Sequence, residues 1–147
     1  MGRLMEQGTY KPFLEHFEIA AGMKRGAYHG AQWNDGDFYK GLEAALASHA
    51  MKPDPALGRL IDRSIAAIAA AQREDGYLHT PILIRQRNGD RSAQPFGDRF
   101  AFEMYNMGHL MTTACLDHRT TGRTELLTVA EKAAEFLNVA FQNPTPE

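Results

Sequence analysis

The most apolar helical stretch of the chain lies at residues 100–122, and its polar positions cluster near its beginning. The stretch reads FAFEMYNMGHLMTTACLDHRTTG. Apolar side chains fall on nearly every face of a 3.6-residue helix, a pattern typical of a helix that other elements enclose. Four polar residues, Glu103, Tyr105, Asn106 and His109, fall within about two turns. Because buried polar groups need partners, they predict a hydrogen-bonded network or the floor of a site.

Three further helices are predicted from hydrophobic spacing at helical period. They span about residues 34–51, 55–74 and 124–141. Asp54 and Pro55 supply an N-cap and a first helical residue for the second of them. Only two or three residues separate the first helix from the second and the third from the fourth, so each pair is predicted to be an antiparallel αα-hairpin.

About 25 residues connect the two predicted hairpins, a length that is usually functional when it is ordered. Residues 77–84 are rich in aromatic and β-branched side chains and are interrupted by Pro81, so we expect a short extended segment there. Residues 85–98 form a polar loop with the turn signal Asn88-Gly89-Asp90. Before the first hairpin, residues 10–21 predict one short helix.

Composition narrows the function classes. The chain has 147 residues, of which 44% are hydrophobic and 23% charged, and this suits one ordinary globular domain. A net charge of −2 argues against nucleic acid or an anionic membrane surface as a partner. No apolar run approaches the ~18 residues of a membrane span. No apolar signal segment is visible at the beginning, so a cytoplasmic location is the default expectation.

Helix alternation gathers most of the chemically useful side chains at one end of the predicted hairpins. The starts of the first and third helices lie at this end, together with the long connection. The residues predicted to bind substrate there are Trp33, Asp35, Asp37, His79, Glu103, Tyr105 and His109. No pair of catalytic carboxylates can be assigned from spacing alone, because that assignment depends on a separation in space. The catalytic residues therefore stay unassigned.

Each of these residues also has a purely structural interpretation. Asp35 and Asp37 open a helix, where carboxylates cap free N–H groups and favour the helix dipole. Glu103 sits in the first turn of its own helix, so the dipole also explains its position. His109 fits a hydrogen-bonded core histidine, whereas His79 lies on the long connection and is the better histidine for ligand contact.

Three segments carry a resemblance to a known family. They are DGDFYKGLEAA (35–45), AAQREDGYLHT (70–80) and FEMYNMGHLMTTA (102–114), in this order. Together they resemble the β-L-arabinofuranosidase-like glycoside hydrolases, family 127 and its relatives, over roughly residues 17–137. The resemblance implies that these segments are opening helices of an (α/α)6 barrel. It also implies an arabinofuranoside-type or related plant or microbial polysaccharide sugar as the bound carbohydrate.

The resemblance further implies a zinc-held cysteine nucleophile, with every zinc ligand downstream of the matched stretch. Cys115, the single cysteine, matches none of those ligands, so no metal and no cofactor are expected in this chain. Free cysteines are often buried, and Cys115 is therefore expected to be a core residue. Phe102 stands where the family usually has a histidine, so the resemblance leaves the substrate itself open.

The combined expectation is an all-α fold whose αα-hairpins form part of an (α/α)6 toroid. Its segments are 1–34, irregular with a short helix, 35–142, two hairpins, and 143–147, a tail. Two hairpins cannot close a toroid, so apolar surface on the first and third helices is expected to stay uncovered. The predicted function is a partial, glycoside hydrolase-like domain that contributes substrate-binding residues. The alternative is a non-catalytic helical interaction module that forms a homo-oligomer through the uncovered helical faces or binds a protein partner.

Overall fold

The computed structural model describes residues 11–142, which form six α-helices and no strand. The helices are α1 (Lys11–Ala20), α2 (Asn34–Met51), α3 (Pro55–Ala71), α4 (Thr80–Arg87), α5 (Glu103–Thr121) and α6 (Glu125–Phe141). The predicted all-α class is therefore confirmed for this part of the chain. The predicted tail at 143–147 and the first ten residues of the predicted N-terminal segment lie outside the described residues.

Capping residues at the helix ends determine where the helices of the two αα-hairpins begin and end. Asp54 caps α3 by accepting hydrogen bonds from the backbone N–H groups of Ala56 at 2.8 Å and Leu57 at 3.4 Å. Gly122 ends α5 in the left-handed region at φ 76°, which a glycine adopts without steric cost. Each cap is followed at once by a new helix. The α2–α3 and α5–α6 connections are consequently short, as the sequence predicts.

The two hairpins pack side by side along α2 and α5, while α6 lies against α5 and α1 crosses α3 and α4. The largest fully buried apolar and aromatic side chains are Phe17, Phe38, Tyr39, Leu42, Ile61, Ile65, Ile68, Tyr77, Leu78, Ile84, Met107 and Leu110. Burying one such aliphatic side chain contributes about 1.5–3 kcal/mol relative to leaving it exposed. One continuous core therefore joins both hairpins to the N-terminal helix.

The extended segment predicted at 77–84 is correct only for residues 77–79. From Thr80 onward the chain is helical, and α4 runs to Arg87. Pro81 lies in the first turn of that helix, where its missing N–H needs no intrahelical partner, so it favours the helix start. The β-branched residues Ile82 and Ile84 imitate a strand pattern, but both are buried against the core as part of the helix.

Helix α5 is not enclosed on all sides. Met107, Leu110 and Ala114 are buried, whereas Met104 is 54% exposed and Cys115 is exposed. The prediction of a buried core cysteine is therefore wrong, because Cys115 lies on the face of α5 turned away from the core. None of the helices within residues 11–142 combines the length and hydropathy that a bilayer crossing requires.

Candidate functional site

A buried carboxylate joins the start of α2 to the start of α4. Asp35 is 1% exposed, and its carboxylate accepts two hydrogen bonds from Thr80, from the backbone N–H at 2.7 Å and from Oγ1 at 2.5 Å. The N-cap residue of α4 is His79, whose own side chain makes no capping bond. Asp35 therefore caps α4 from a neighbouring helix, which is a use of the aspartate that local sequence does not reveal.

Asn106 lies beside this carboxylate and fixes three separate segments. Its Oδ1 accepts the backbone N–H of Gly36 at 2.9 Å, and its Nδ2 donates to the carbonyl of Gln32 at 2.8 Å. These two bonds determine which way the amide points. The remaining Nδ2 hydrogen faces Nδ1 of His79 at 3.2 Å, so that ring nitrogen is the acceptor.

The ring hydrogen of His79 is consequently assigned to Nε2. The side chain is fully buried, and Nε2 has no hydrogen-bond partner among residues 11–142. Nδ1 lies 3.6 Å from a carboxylate oxygen of Asp35, beyond hydrogen-bond range. A buried donor without a partner is uncommon in a folded protein, and it marks this position as chemically unusual.

Glu103, the first residue of α5, forms a second buried cluster with the long connection. Its carboxylate accepts the hydroxyl hydrogen of Tyr77 at 2.9 Å and the backbone N–H of Phe96 at 2.9 and 3.0 Å. Burial and the neighbouring Glu103 charge raise the pKa of Tyr77 well above its usual value. The tyrosine therefore stays protonated and serves as a fixed donor to the carboxylate.

Two bulky residues next to Glu103 adopt backbone angles that side chains other than glycine rarely take. Phe96 has φ 56° and Phe102 has φ 57°. Such residues cost about 1–3 kcal/mol each and persist where their surroundings hold them in place. The hydrogen bonds that the backbone N–H of Phe96 donates to Glu103 hold Phe96 in place. The ring of Phe102 lies on the surface.

Above these buried clusters lies a row of aromatic side chains. The aromatic row consists of Trp33, Phe102, Tyr105 and His109, whose successive ring centroids are 5.3, 6.2 and 4.7 Å apart. Trp33 is 45% and Tyr105 is 41% exposed, so both rings present surface to solvent. Exposed aromatic rings held in fixed positions are suited to binding a flat or partly apolar ligand.

A charged pair borders the aromatic row. Lys40 donates to Asp37 at 3.0 Å and to the hydroxyl of Tyr105, and its ammonium lies 5.0 Å from the centroid of that ring. The hydrogen bond to Tyr105, followed by the one to Asp37, raises the pKa of Lys40 above its usual value. The pair therefore offers both a donor and an acceptor beside the rings.

The structure thus divides the seven sequence-predicted residues into two layers. Asp35, His79 and Glu103 are buried, while Trp33, Asp37, Tyr105 and His109 lie at or near the surface. All seven lie at the end where α2 and α5 begin. Whether they bind a substrate stays a prediction.

Sequence reasoning left two participants out of the candidate site, Lys40 and Thr80. Asn106 was singled out from the sequence, because a polar side chain in the middle of an apolar helix must find a partner. Thr80 had no such signal, since its partner Asp35 is 45 positions away.

Three cavities lined by described residues lie away from the aromatic row. A cavity of about 420 Å³ sits at the opposite end of the hairpins, lined among others by Leu46, His49, Ile61 and Arg123. It contains none of the seven predicted residues. Within residues 11–142, no three His, Cys, Asp or Glu side chains come together in a way that would hold a metal ion. Residues 11–142 therefore do not fit a zinc centre.

Antiparallel helical hairpins packed side by side, with polar side chains gathered at one end, define this protein as part of an α/α toroid. Comparison with known proteins identifies the family within this class. A family model described as the β-L-arabinofuranosidase, GH127 catalytic domain matches residues 1–147. The chain belongs to glycoside hydrolase family 127, as its three sequence segments suggest.

A non-reducing end β-L-arabinofuranosidase from Bifidobacterium longum subsp. longum is 40% identical over 133 residues, which is 87% of this chain and 20% of that protein. The crystal structure of a GH127 β-L-arabinofuranosidase from Geobacillus stearothermophilus T6 superposes with a TM-score of 0.78 at 34% identity. That match covers 89% of this chain and 20% of the other chain.

A GH127 β-arabinofuranosidase structure gives a TM-score of 0.70 at 29% identity, covering 85% of this chain and 20% of its own. The chain therefore spans about a fifth of the length of the relatives it matches.

Proposed function

We propose that this chain supplies one wall of a carbohydrate-binding site in a glycoside hydrolase acting on β-L-arabinofuranosyl groups. The aromatic row receives the sugar, and the Asp37–Lys40 pair contacts its hydroxyl groups. The catalytic groups are not among the residues assigned here. The sugar class comes from the names of the relatives, which are β-L-arabinofuranosidases.

The observation that carries this proposal is the stacking of the aromatic row on the buried clusters. Asn106 follows Tyr105 in α5 and bonds to Gly36 and Gln32, on either side of Asp35 and Trp33. Glu103 follows Phe102 and fixes the preceding loop. The rings of Phe102 and Tyr105 are thus each adjacent in sequence to an anchored buried residue. A site preorganised in this way loses little side-chain entropy when it binds a ligand.

Trp33 makes the proposal directly testable, since it is the only tryptophan in the chain. Its fluorescence should change saturably on titration with methyl β-L-arabinofuranoside and not with methyl β-D-glucopyranoside. Tyr105→Ala should weaken binding roughly 2–10-fold, the effect of losing one aromatic contact. Met51→Ala, an exposed apolar residue at the opposite end, serves as the matched control and should leave binding unchanged. An unchanged tryptophan signal at saturating sugar would refute the proposal.

One observation favours the second candidate function, a helical interaction module. Met104 on α5 and Val139 and Phe141 on α6 are exposed apolar residues, and Cys115 is exposed on the same helix as Met104. Apolar side chains left uncovered in this way favour association with another copy of the chain. Solution mass measured from low to high protein concentration separates the two functions. A concentration-independent monomer that binds the sugar supports the first and argues against the second.

A further inference from the structure

A polar pocket lies away from the aromatic row, where the end of α1 meets the end of α4. It encloses about 320 Å³ and is lined by residues 19, 22, 24–26, 87 and 88. Three of its lining residues, Lys24, Arg25 and Arg87, are cationic at neutral pH. No acidic residue lines it.

The guanidinium of Arg87 is held in a defined position at this pocket. Its Nε donates to the carbonyl of Ala20 at 3.0 Å. The group lies over Gly22, where a Cβ would come within 2.5 Å of Nη1. Gly22 has φ 78°, a backbone angle that favours glycine. Both terminal nitrogens, Nη1 and Nη2, have no hydrogen-bond or ion-pair partner among residues 11–142.

Of the two other cationic residues that line the pocket, one forms ion pairs with carboxylates and one does not. Lys24 is paired with Glu18 at 2.6 Å and with Glu15 at 3.3 Å. Arg25 has no ion pair within the described part of the chain. Asn88 donates to the carbonyl of Gly26 at 2.9 Å and so fixes the loop that carries Arg25 against the end of α4.

We propose that this pocket is an oxyanion site for a phosphate group, with Arg87 as the bidentate ligand and Arg25 as a second cation. An arginine anchored through Nε presents its two terminal N–H groups in the parallel geometry that suits two oxygens of one phosphate. Two unpaired cations facing one pocket favour an anion with more than one negative charge. The ligand is either free phosphate or the phosphate ester of a sugar. This inference is independent of the proposed arabinofuranosyl site.

The test is calorimetric titration of the 147-residue chain with inorganic phosphate at constant ionic strength. Saturable binding is expected. Arg87→Lys keeps the charge but loses the bidentate geometry, and it should weaken binding roughly tenfold. Arg25→Gln removes an exposed side chain that makes no hydrogen bond or ion pair among residues 11–142, so it tests the proposal even if the Arg87 variant folds poorly. Arg119→Gln, which removes an exposed arginine on α5 away from the pocket, is the charge-matched control for Arg25→Gln and should bind as the wild type does.

A parallel titration with ribose 5-phosphate distinguishes the two ligand sources. Tighter binding than that of phosphate assigns the site to a sugar phosphate, and equal binding assigns it to the free ion. Absence of saturable binding by either ligand overturns the proposal. Equal weakening by Arg119→Gln and Arg25→Gln also overturns it, because that result describes general charge attraction. Neither result depends on whether Trp33 responds to an arabinofuranoside.

Discussion

Asp35 and Thr80 are 45 positions apart in the chain and are joined by two short hydrogen bonds in the interior. The carboxylate of one helix thereby satisfies the free N–H at the start of another helix. This contact fixes the start of α4, which directly follows His79. The candidate site therefore depends on a helix cap that is supplied from a different helix.

Asp35→Ala should lower the free energy of unfolding by about 3 kcal/mol, because it leaves two buried donors of Thr80 without an acceptor. Asp37→Ala is the matched control, since it removes a carboxylate from the same helical turn. Asp37 is partly exposed and pairs with Lys40, so its loss should cost no more than about 1 kcal/mol. Urea unfolding measures both values. Equal losses would mean that the Asp35–Thr80 bonds do not anchor the site.

Because Tyr77 is buried, we expect the free energy of unfolding to fall at alkaline pH. Burial and then the Glu103 charge raise its pKa in the folded state, whereas the unfolded chain titrates near 10. As pH rises above 10 the unfolded state loses the phenolic proton first, so stability falls with pH. One such tyrosine contributes a loss of about 1.4 kcal/mol between pH 9 and pH 11.

Tyr77→Phe should therefore reduce the alkaline loss of stability by about that amount. Burial, followed by the charge of Asp35, also raises the pKa of Tyr39, so Tyr39→Phe should reduce the loss similarly. Urea unfolding at the two pH values gives the comparison. An identical alkaline loss in wild type and in Tyr77→Phe would contradict the buried Tyr77–Glu103 contact.

Two helical glycines should respond to alanine in opposite directions. At Gly36 a Cβ would lie 2.8 Å from Oδ1 of Asn106 and from the ring of Tyr105, so Gly36→Ala should destabilise by about 1–3 kcal/mol. At Gly108 nothing lies within 4 Å, so Gly108→Ala should stabilise the exposed helix by roughly 0.5–1 kcal/mol. Thermal unfolding of both variants measures the difference. Stabilisation by Gly36→Ala would show that α2 and α5 do not approach closely at this end.

The exposed thiol of Cys115 gives a further test of the fold. In the native protein it should react with a thiol reagent such as DTNB almost as fast as in the denatured chain. If another copy covers this face of α5, labelling should slow as the protein concentration rises. Labelling that requires unfolding at every concentration, including the lowest, would place Cys115 in the core and contradict the orientation of α5.

The sequence predicted the elements whose signals are local. Asp54 and Gly122 act on their immediate neighbours, and the hairpins that they delimit have the predicted ends to within a few residues. Helix α4 was missed because Pro81 and the β-branched residues around it fit both an edge strand and a helix start. The helix start is stabilised by the carboxylate of Asp35, which accepts the backbone N–H of Thr80. Asp35 is distant in sequence, so local patterns do not reveal this contact.

The burial of Cys115 was predicted wrongly for a related reason. Hydrophobic periodicity shows that Met104 and Cys115 are apolar, but not whether another element covers them. The site was predicted as a group of residues at one end, and the structure brings them to that end. Periodicity could not separate the buried Asp35 from the partly exposed Asp37 two positions later, since both fit the first turn of a helix.

Binding of an arabinofuranosyl group at the aromatic row is tested most directly by a two-dimensional amide NMR titration of the isotope-labelled chain with methyl β-L-arabinofuranoside. We expect saturable shift changes at residues 33–40 and 102–109, and none around His49 and Arg123 at the opposite cavity. Shift changes confined to that cavity, or none at high sugar concentration, would show that the aromatic row does not bind this sugar.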